Sequence, residues 1–196
     1  IAGFSAFVRK EVYIVDRERA VEELRARLFD INRLRHSFAV EAVMRELAGR
    51  LHEEIEIWGL TGLLHDIDLD IVDGDLEQHG LVAAEILEGL SVDKSIIHSI
   101  KSHNPNLGFP RRRKVDKALY CSDHLPRFIE KCASTIPGNN IFDLTVDYLV
   151  EKFNEEGFVK EEHKEQILTC GELGLTPEEF FDIGLNALKK VEYKFD

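Results

Sequence analysis

The sequence predicts an all-α fold, and three observations support that prediction. Apolar residues recur at steps of three and four along most of the chain, which is the period of an amphipathic helix. Strand signals are nearly absent. Turn-forming residues separate the periodic stretches, as in Asp73-Gly74-Asp75 and Pro137-Gly138-Asn139-Asn140. We therefore expect a succession of helices joined by short loops.

Capping residues and apolar spacing define the predicted helices in order. Asp16 can cap a first helix that extends to Leu28. The helices that follow are predicted at residues 31–51, 54–66, 77–90, 93–103, 115–129, 142–155, 161–173 and 177–191. The last has a complete start signal, because Thr176 can cap it, Pro177 takes the first helical position and Glu179 closes a capping box.

Composition and charge exclude several classes of protein. The 196 residues are 44% hydrophobic and 32% charged, which is typical of a soluble globular domain and argues against disorder. The 25 basic and 37 acidic side chains give a net charge of −12. A general nucleic-acid binder needs a basic face to neutralise phosphates, so no nucleic-acid polymer is expected as a partner.

Nothing in the sequence indicates a membrane protein or a secreted one. No apolar run approaches the roughly 20 residues that span a bilayer. The first residues lack the charged-then-apolar order of a signal peptide. The spacings of Cys121, Cys132 and Cys170 match neither a zinc motif nor a redox motif. We therefore expect a cytoplasmic protein without a membrane partner.

Four of the eight histidines and two aspartates fall on the apolar faces of predicted helices. His36, for example, leads a stripe of Val40, Val43 and Leu47 at helical spacing. The six inward-facing residues are His36, His65, Asp66, His79, His103 and Asp123. The other histidines, at positions 52, 98 and 163, are expected at the surface, and His124 is a candidate to support the neighbouring Asp123.

Six buried polar residues point to a metal site. A single buried histidine is most simply a hydrogen-bonded core residue. Burying four imidazoles and two carboxylates together costs several kcal/mol unless each group is paired or bound to a metal. Neutral imidazoles and carboxylates are ligands that suit a transition metal. The sequence therefore predicts a metal site inside the helical core.

The order His36, His65-Asp66, His79, His103, Asp123 resembles the HD-domain superfamily of metal-dependent phosphohydrolases. The local contexts are similar too, for example Leu63-Leu64-His65-Asp66-Ile67. The extra histidines resemble the dinuclear branch, and the chain is most similar there to bacterial HDIG-type proteins related to the YqeK family of diadenosine polyphosphate hydrolases. One departure is Asp68, which stands where many members continue with Gly-Lys.

The resemblance covers about residues 30–130 and divides the chain into three parts. Residues 1–29 would form an N-terminal segment and helix, and residues 30–130 an HD-domain helical bundle with the metal-binding core. Residues 131–196 would form an appendage of about three additional helices packed on that core. An apolar face on one of these last helices is consistent either with a homodimer surface or with packing inside the chain.

Carried over by position, the resemblance implies a site with two divalent transition metal ions, of iron, manganese, cobalt or nickel. One ion would take His36, His65, Asp66 and Asp123, and the second would take His79 and His103 with Asp66 bridging. Asp66 would thus be a catalytic residue. A metal-bridging hydroxide would attack the phosphorus of a small phosphorylated substrate, for which a nucleotide is the expected class.

Three basic residues are candidates for binding the substrate. Lys101 stands two before His103, where YqeK-like proteins resemble this chain in having a basic residue, although a solvated lysine is the simpler interpretation. Arg111 and Arg112 begin a basic run that leads to the Asp123 helix and could bind distal phosphates, whereas most charge runs are simply solvated. Acidic residues after His65-Asp66, at positions 68 and 70, could orient metal ligands or be plain loop residues.

Two other functions stay open at this stage. The same six ligands resemble those of HD-fold diiron oxygenases, and the identity and redox state of the metal would separate the two classes. The third hypothesis is a non-catalytic, metal-stabilised domain that binds a nucleotide. A missing ligand would have favoured it, and all six are present.

Overall fold

The computed structural model describes residues 15–191, and every regular element in this range is helical. The prediction of an all-α fold is confirmed. The α-helices are α1 Arg17–Arg25, α2 Ile31–Arg50, α3 Ile55–Leu64, α4 Leu69–Val72, α5 Leu81–Gly89, α6 Lys94–His103, α7 Lys114–Ser122, α8 Leu125–Ala133, α9 Val146–Asn154, α10 Glu161–Leu168 and α11 Pro177–Lys190. The predictions about the first residues of the chain lie outside the described range.

Both predicted helix caps are present. The Asp16 carboxylate accepts a hydrogen bond from the backbone N–H of Arg19 at 2.8 Å and begins α1. Thr176 and Glu179 bond reciprocally at the start of α11, at 3.0 and 3.2 Å. These contacts satisfy backbone donors that have no partner within the helix.

Several predicted helices have different boundaries in the structure: α1 ends at Arg25 and not at Leu28, α9 begins at Val146 and not at residue 142, and two further differences bear on the site. The element expected at 115–129 is divided into α7 and α8, with Asp123 and His124 at the junction. Pro126 stands in the first turn of α8, where its missing N–H costs no hydrogen bond. The element expected at 77–90 begins only at Leu81, because Gly80 has a φ of 88° and ends a turn there. His79 therefore lies in this turn, just before α5.

Helices α2 and α3 pack closely through a glycine. A Cβ placed on Gly62 would lie 2.9 Å from the Val40 carbonyl oxygen and 2.9 Å from Met44 Cγ. No other residue type fits this contact without moving backbone. The close approach brings the start of α2, with His36, beside the end of α3, with His65.

We expect Gly62→Ala to lower the free energy of unfolding by about 1–3 kcal/mol, because the added methyl group overpacks α2 against α3. Thermal or urea unfolding measures the change. The matched control is Gly49→Ala, since nothing lies within 4 Å of a Cβ there. This exposed helical position should gain up to about 1 kcal/mol. Equal effects of the two substitutions would contradict the packing explanation.

The three predicted C-terminal helices are present as α9, α10 and α11, and they share the core of the preceding helices. The ring of Phe128 in α8 lies 5.4 Å from the rings of both Phe153 and Phe181. Gly184 allows Leu125 to approach α11. The domain boundaries given above stay a prediction. Within residues 15–191, no helix has the length and apolarity needed to cross a membrane.

Candidate metal centre

The six predicted site residues converge in the structure, although five segments of the chain supply them. His36 lies in the second turn of α2, and His65 and Asp66 follow the end of α3. His79 precedes α5, His103 ends α6 and Asp123 follows α7. Their donor atoms form two groups, each with members within 4.8 Å of one another: His36, His65, Asp66 and Asp123 in the first, and Asp66, His79 and His103 in the second.

The first group is built around two carboxylates. His36 Nε2 lies 3.0 Å from Asp123 Oδ1 and 3.8 Å from Asp66 Oδ2. His65 Nε2 lies 3.2 Å from Asp66 Oδ2 and 3.6 Å from Asp123 Oδ1. Two histidine nitrogens and two carboxylate oxygens thus face the same small volume.

The second group uses the other oxygen of Asp66. Asp66 Oδ1 lies 3.4 Å from His79 Nε2 and 3.7 Å from His103 Nε2. The two imidazole nitrogens lie 3.1 Å apart. Asp66 therefore belongs to both groups, with one oxygen directed to each, which matches the division that the family resemblance implies.

Hydrogen bonds on the outer side orient three of the imidazoles. His65 Nδ1 donates to the Gly62 carbonyl at 2.7 Å, and His103 Nδ1 donates to the Ile100 carbonyl at 2.5 Å. His79 Nδ1 lies 2.9 Å from Asp68 Oδ1. Because a carbonyl or carboxylate only accepts, each Nδ1 carries a hydrogen, and in a neutral ring Nε2 directs its lone pair into the site.

Without a cation, this arrangement leaves ring nitrogens of the site without a partner for their lone pairs. His65 Nε2 is buried and has no hydrogen-bond partner among the described residues. The facing lone pairs of His79 and His103 repel at 3.1 Å unless a proton or a metal ion comes between them. The donor set of imidazole nitrogens and carboxylate oxygens therefore fits a transition metal.

Asp68 is the residue that holds His79 in place. Its Oδ2 accepts from the backbone N–H groups of Gly80 and Ala83 at 2.7 and 3.0 Å, and the side chain is fully buried. The left-handed Gly80 brings both N–H groups to the carboxylate. Asp70, the other acidic candidate, lies elsewhere and accepts from Phe29 N and Arg33 Nη1, both at 2.5 Å.

The negative charges of Asp66 and Asp123 favour the binding of a proton or a metal ion in the site. Burial of His65 opposes its protonation, but the negative charges of Asp66 and Asp123 outweigh burial and raise the pKa of His65 to about 10. Burial raises the pKa of the Asp66 and Asp123 carboxyl groups, but their histidine partners lower it by more. The pKa of both carboxyl groups therefore lies well below the usual range. A metal ion would therefore compete with a proton on His65.

Sequence reasoning missed a cluster of basic side chains beside the first group. Arg127 Nε donates to His36 Nδ1 at 3.4 Å, so in this arrangement His36 carries its hydrogen on Nε2, toward Asp123. The rings of His124 and His163 stack with centroids 3.8 Å apart. His163 comes from α10, 39 positions away, and local spacing gives no signal of that contact.

The structure places two of the three predicted substrate-binding residues, Lys101 and Arg111, against aromatic rings. Lys101 Nζ lies 5.0 Å from the ring centre of Phe109, and the Arg111 guanidinium lies 3.6 Å from that of Tyr120. Arg112 is exposed, and its backbone N–H bonds to Asp116. Among the hydrogen bonds and ion pairs of residues 15–191, none joins these three side chains to the metal cluster, and their role stays a prediction.

The fold and site define an all-α domain with a buried histidine–aspartate cluster. Residues 33–122 match the model of the HD domain family, a span that holds five of the six site residues and ends one residue before Asp123. The match supports membership of the HD-domain superfamily, whose members are generally metal-dependent phosphohydrolases. Comparison with curated proteins found no significant match to the chain, and neither did comparison with solved structures.

Proposed function

We propose that the protein is a metal-dependent phosphohydrolase of the YqeK-like, dinuclear type, acting on a small phosphorylated substrate such as a nucleotide. The observation that carries the proposal is the position of Asp66, whose two oxygens face two separate sets of histidine nitrogens. A carboxylate shared in this way is suited to bridge two ions. Divalent transition metal ions are the cofactors that the donor set favours.

Bound ions of this kind lower the pKa of a coordinated water toward about 7 and stabilise the charge that develops on phosphorus. The chain contributes the positions of the ligands. His65, His79 and His103 present Nε2 because their Nδ1 atoms are fixed by Gly62, Asp68 and Ile100. A ligand role for His36 requires its hydrogen to leave Nε2, and the exposed Arg127 side chain is free to turn away from Nδ1.

A protein nucleophile is not needed for this chemistry. Cys121, two residues before Asp123, is fully buried, and burial raises the pKa of its thiol far above neutral pH. The thiol therefore stays protonated and bonds to the Ala118 carbonyl instead. Hydrolysis by water is the reaction that these groups support best.

We expect phosphate release that depends completely on added metal. The protein is stripped with a chelator, dialysed, reloaded with Mn, Fe(II), Co or Ni, and assayed with phosphomonoesters, cyclic nucleotides and dinucleoside polyphosphates. The best substrate identifies the class of bond. Absence of release with every metal and substrate would overturn the proposal, and oxygen consumption by the Fe(II) form would instead favour the oxygenase hypothesis.

A further inference from the structure

A groove of about 660 Å³ lies between the end of α5 and the outer face of α6. We name it the α6 groove. Its volume falls within the roughly 300–1,000 Å³ typical of sites for small organic ligands. Its principal lining residues are Glu88, Val92, Lys94, Ile97, His98 and Lys101.

The α6 groove and the candidate metal centre lie on opposite faces of α6. An α-helix turns by about 100° per residue, so Lys94, His98 and Lys101 fall within about 60° of one another. His103, which ends the helix, falls about 180° from Lys94 and is buried in the second group of ligand candidates. Lys101, predicted from the sequence to bind the substrate, therefore faces a separate site.

The groove is positive along this stripe of α6. Lys94 and Lys101 lie two helical turns apart, about 10 Å along the axis, and neither forms an ion pair with a carboxylate of residues 15–191. Among the described residues that line the groove, Glu88 supplies the only carboxylate. Asp93, next to Lys94, caps the helix and accepts from Ser95 N at 2.7 Å. Two unpaired ammonium groups at this spacing favour a ligand with two separated anionic groups.

The floor of the groove is apolar. Val92 and Ile97 line it and are only 6% and 4% exposed. Such a floor can cover a hydrocarbon segment, whereas it offers a charged or polar group no partner. The lining thus fits a ligand that carries its charges at the ends and methylene groups between them.

The loop that follows α6 holds two of the basic side chains in place. His98 Nε2 donates to the Pro110 carbonyl at 3.1 Å, and the His98 and Phe109 rings have centroids 6.4 Å apart. Lys101 Nζ lies 5.0 Å from the centre of the same Phe109 ring. One end of the positive stripe is therefore packed against a fixed wall.

We infer that the α6 groove binds a small linear organic dianion, of the dicarboxylate type, with one anionic group at Lys94 and the other at Lys101. The inference goes beyond the proposed phosphohydrolase function and does not rest on it, because no group of the metal cluster lines the groove. A failure of either proposal leaves the other unaffected.

The test is an NMR titration of the isotopically labelled chain with suberate, a linear dicarboxylate. The protein is stripped of metal with a chelator and dialysed, so that the probe cannot bind a metal ion. Low and constant ionic strength keeps the charge contacts measurable. We expect amide shifts concentrated at residues 88–101. Octanoate, with one carboxylate on a chain of the same length, should bind about fivefold more weakly or worse.

Substitutions on the two lysines locate the binding groups. Lys94→Gln and Lys101→Gln should each weaken suberate binding about fivefold or more, and Glu88→Gln should strengthen it about twofold. Lys164→Gln is the matched control, because Lys164 is also a half-buried helical lysine, lies 5.8 Å from the ring centre of Phe153 and is outside the groove. It should bind suberate as the wild type does.

Three outcomes would each overturn the inference. The first is wild-type protein without localised shifts at millimolar suberate. The second is octanoate bound as tightly as suberate, because the groove would then hold a single charge. The third is an unchanged suberate affinity in both Lys94→Gln and Lys101→Gln, or an equal weakening in Lys164→Gln. Amide signals away from the groove report whether each variant keeps its fold.

Discussion

Asp66→Asn is expected to abolish metal-dependent phosphate release, with a loss in kcat of at least about 1,000-fold. The amide has one oxygen to offer where the carboxylate offers two, and it carries no charge. Since each oxygen of Asp66 faces a different group of donors, the substitution removes a ligand from one of them. Loss of several kcal/mol of charge stabilisation by the metals corresponds to three or more orders of magnitude in rate.

The measurement combines kinetics with metal content. Steady-state release of phosphate is compared for wild type and Asp66→Asn at saturating metal, and bound metal is counted after desalting. Asp182→Asn is the control, because this aspartate is exposed in α11 and belongs to neither group of candidate ligands. Asp66→Asn as active as the wild type would show that the metal assignment is wrong.

A spectroscopic readout separates this role from a structural one. The charge of Asp66 is the leading influence that raises the pKa of His65 to about 10, against burial. In the metal-free variant the pKa of His65 should therefore move down, and NMR of the imidazole carbons follows it. An unchanged His65 pKa together with lost activity would indicate that Asp66 acts elsewhere.

Helical spacing was sufficient to predict the inward orientation of His36 and His103, the two site residues that lie within helices. His36 shares a face with Val40, Val43 and Leu47, and all three apolar side chains are fully buried. An apolar stripe fixes which face of a helix is buried, and any polar residue on that face must enter the interior too. These two ligand candidates could thus be named before their partners were known.

Two features of the site could not be predicted in the same way. The Asp123 helix ends at the site itself, but apolar spacing continues across the break into α8, where Ile129 is again buried. His124 stacks on His163, and only the tertiary packing of α10 creates that contact. Periodicity reports which face of a segment is buried and carries no information about what lies opposite.

Asp68→Asn is expected to weaken metal binding to the second group about 10–100-fold while the helices stay folded. The asparagine oxygen can still accept from Gly80 N and Ala83 N, which leaves its NH₂ group toward His79 Nδ1. Two donors cannot bond, so His79 gains by moving its hydrogen from Nδ1 to Nε2. That tautomer has no lone pair to offer Asp66's side of the site.

The matched control is Asp70→Asn, two residues along the same segment. Asp70 also accepts from backbone N–H groups, those of Phe29 and Asp30, and it also has a charged partner, Arg33, but it touches no residue of the metal cluster. The control should lose stability without losing metal affinity. Competitive titration of Mn or Co against a chelating dye measures that affinity, and thermal unfolding of the metal-free proteins measures stability. If both variants lose metal affinity equally, the effect comes from loosening the segment around α4, and Asp68 has no specific hold on the His79 tautomer.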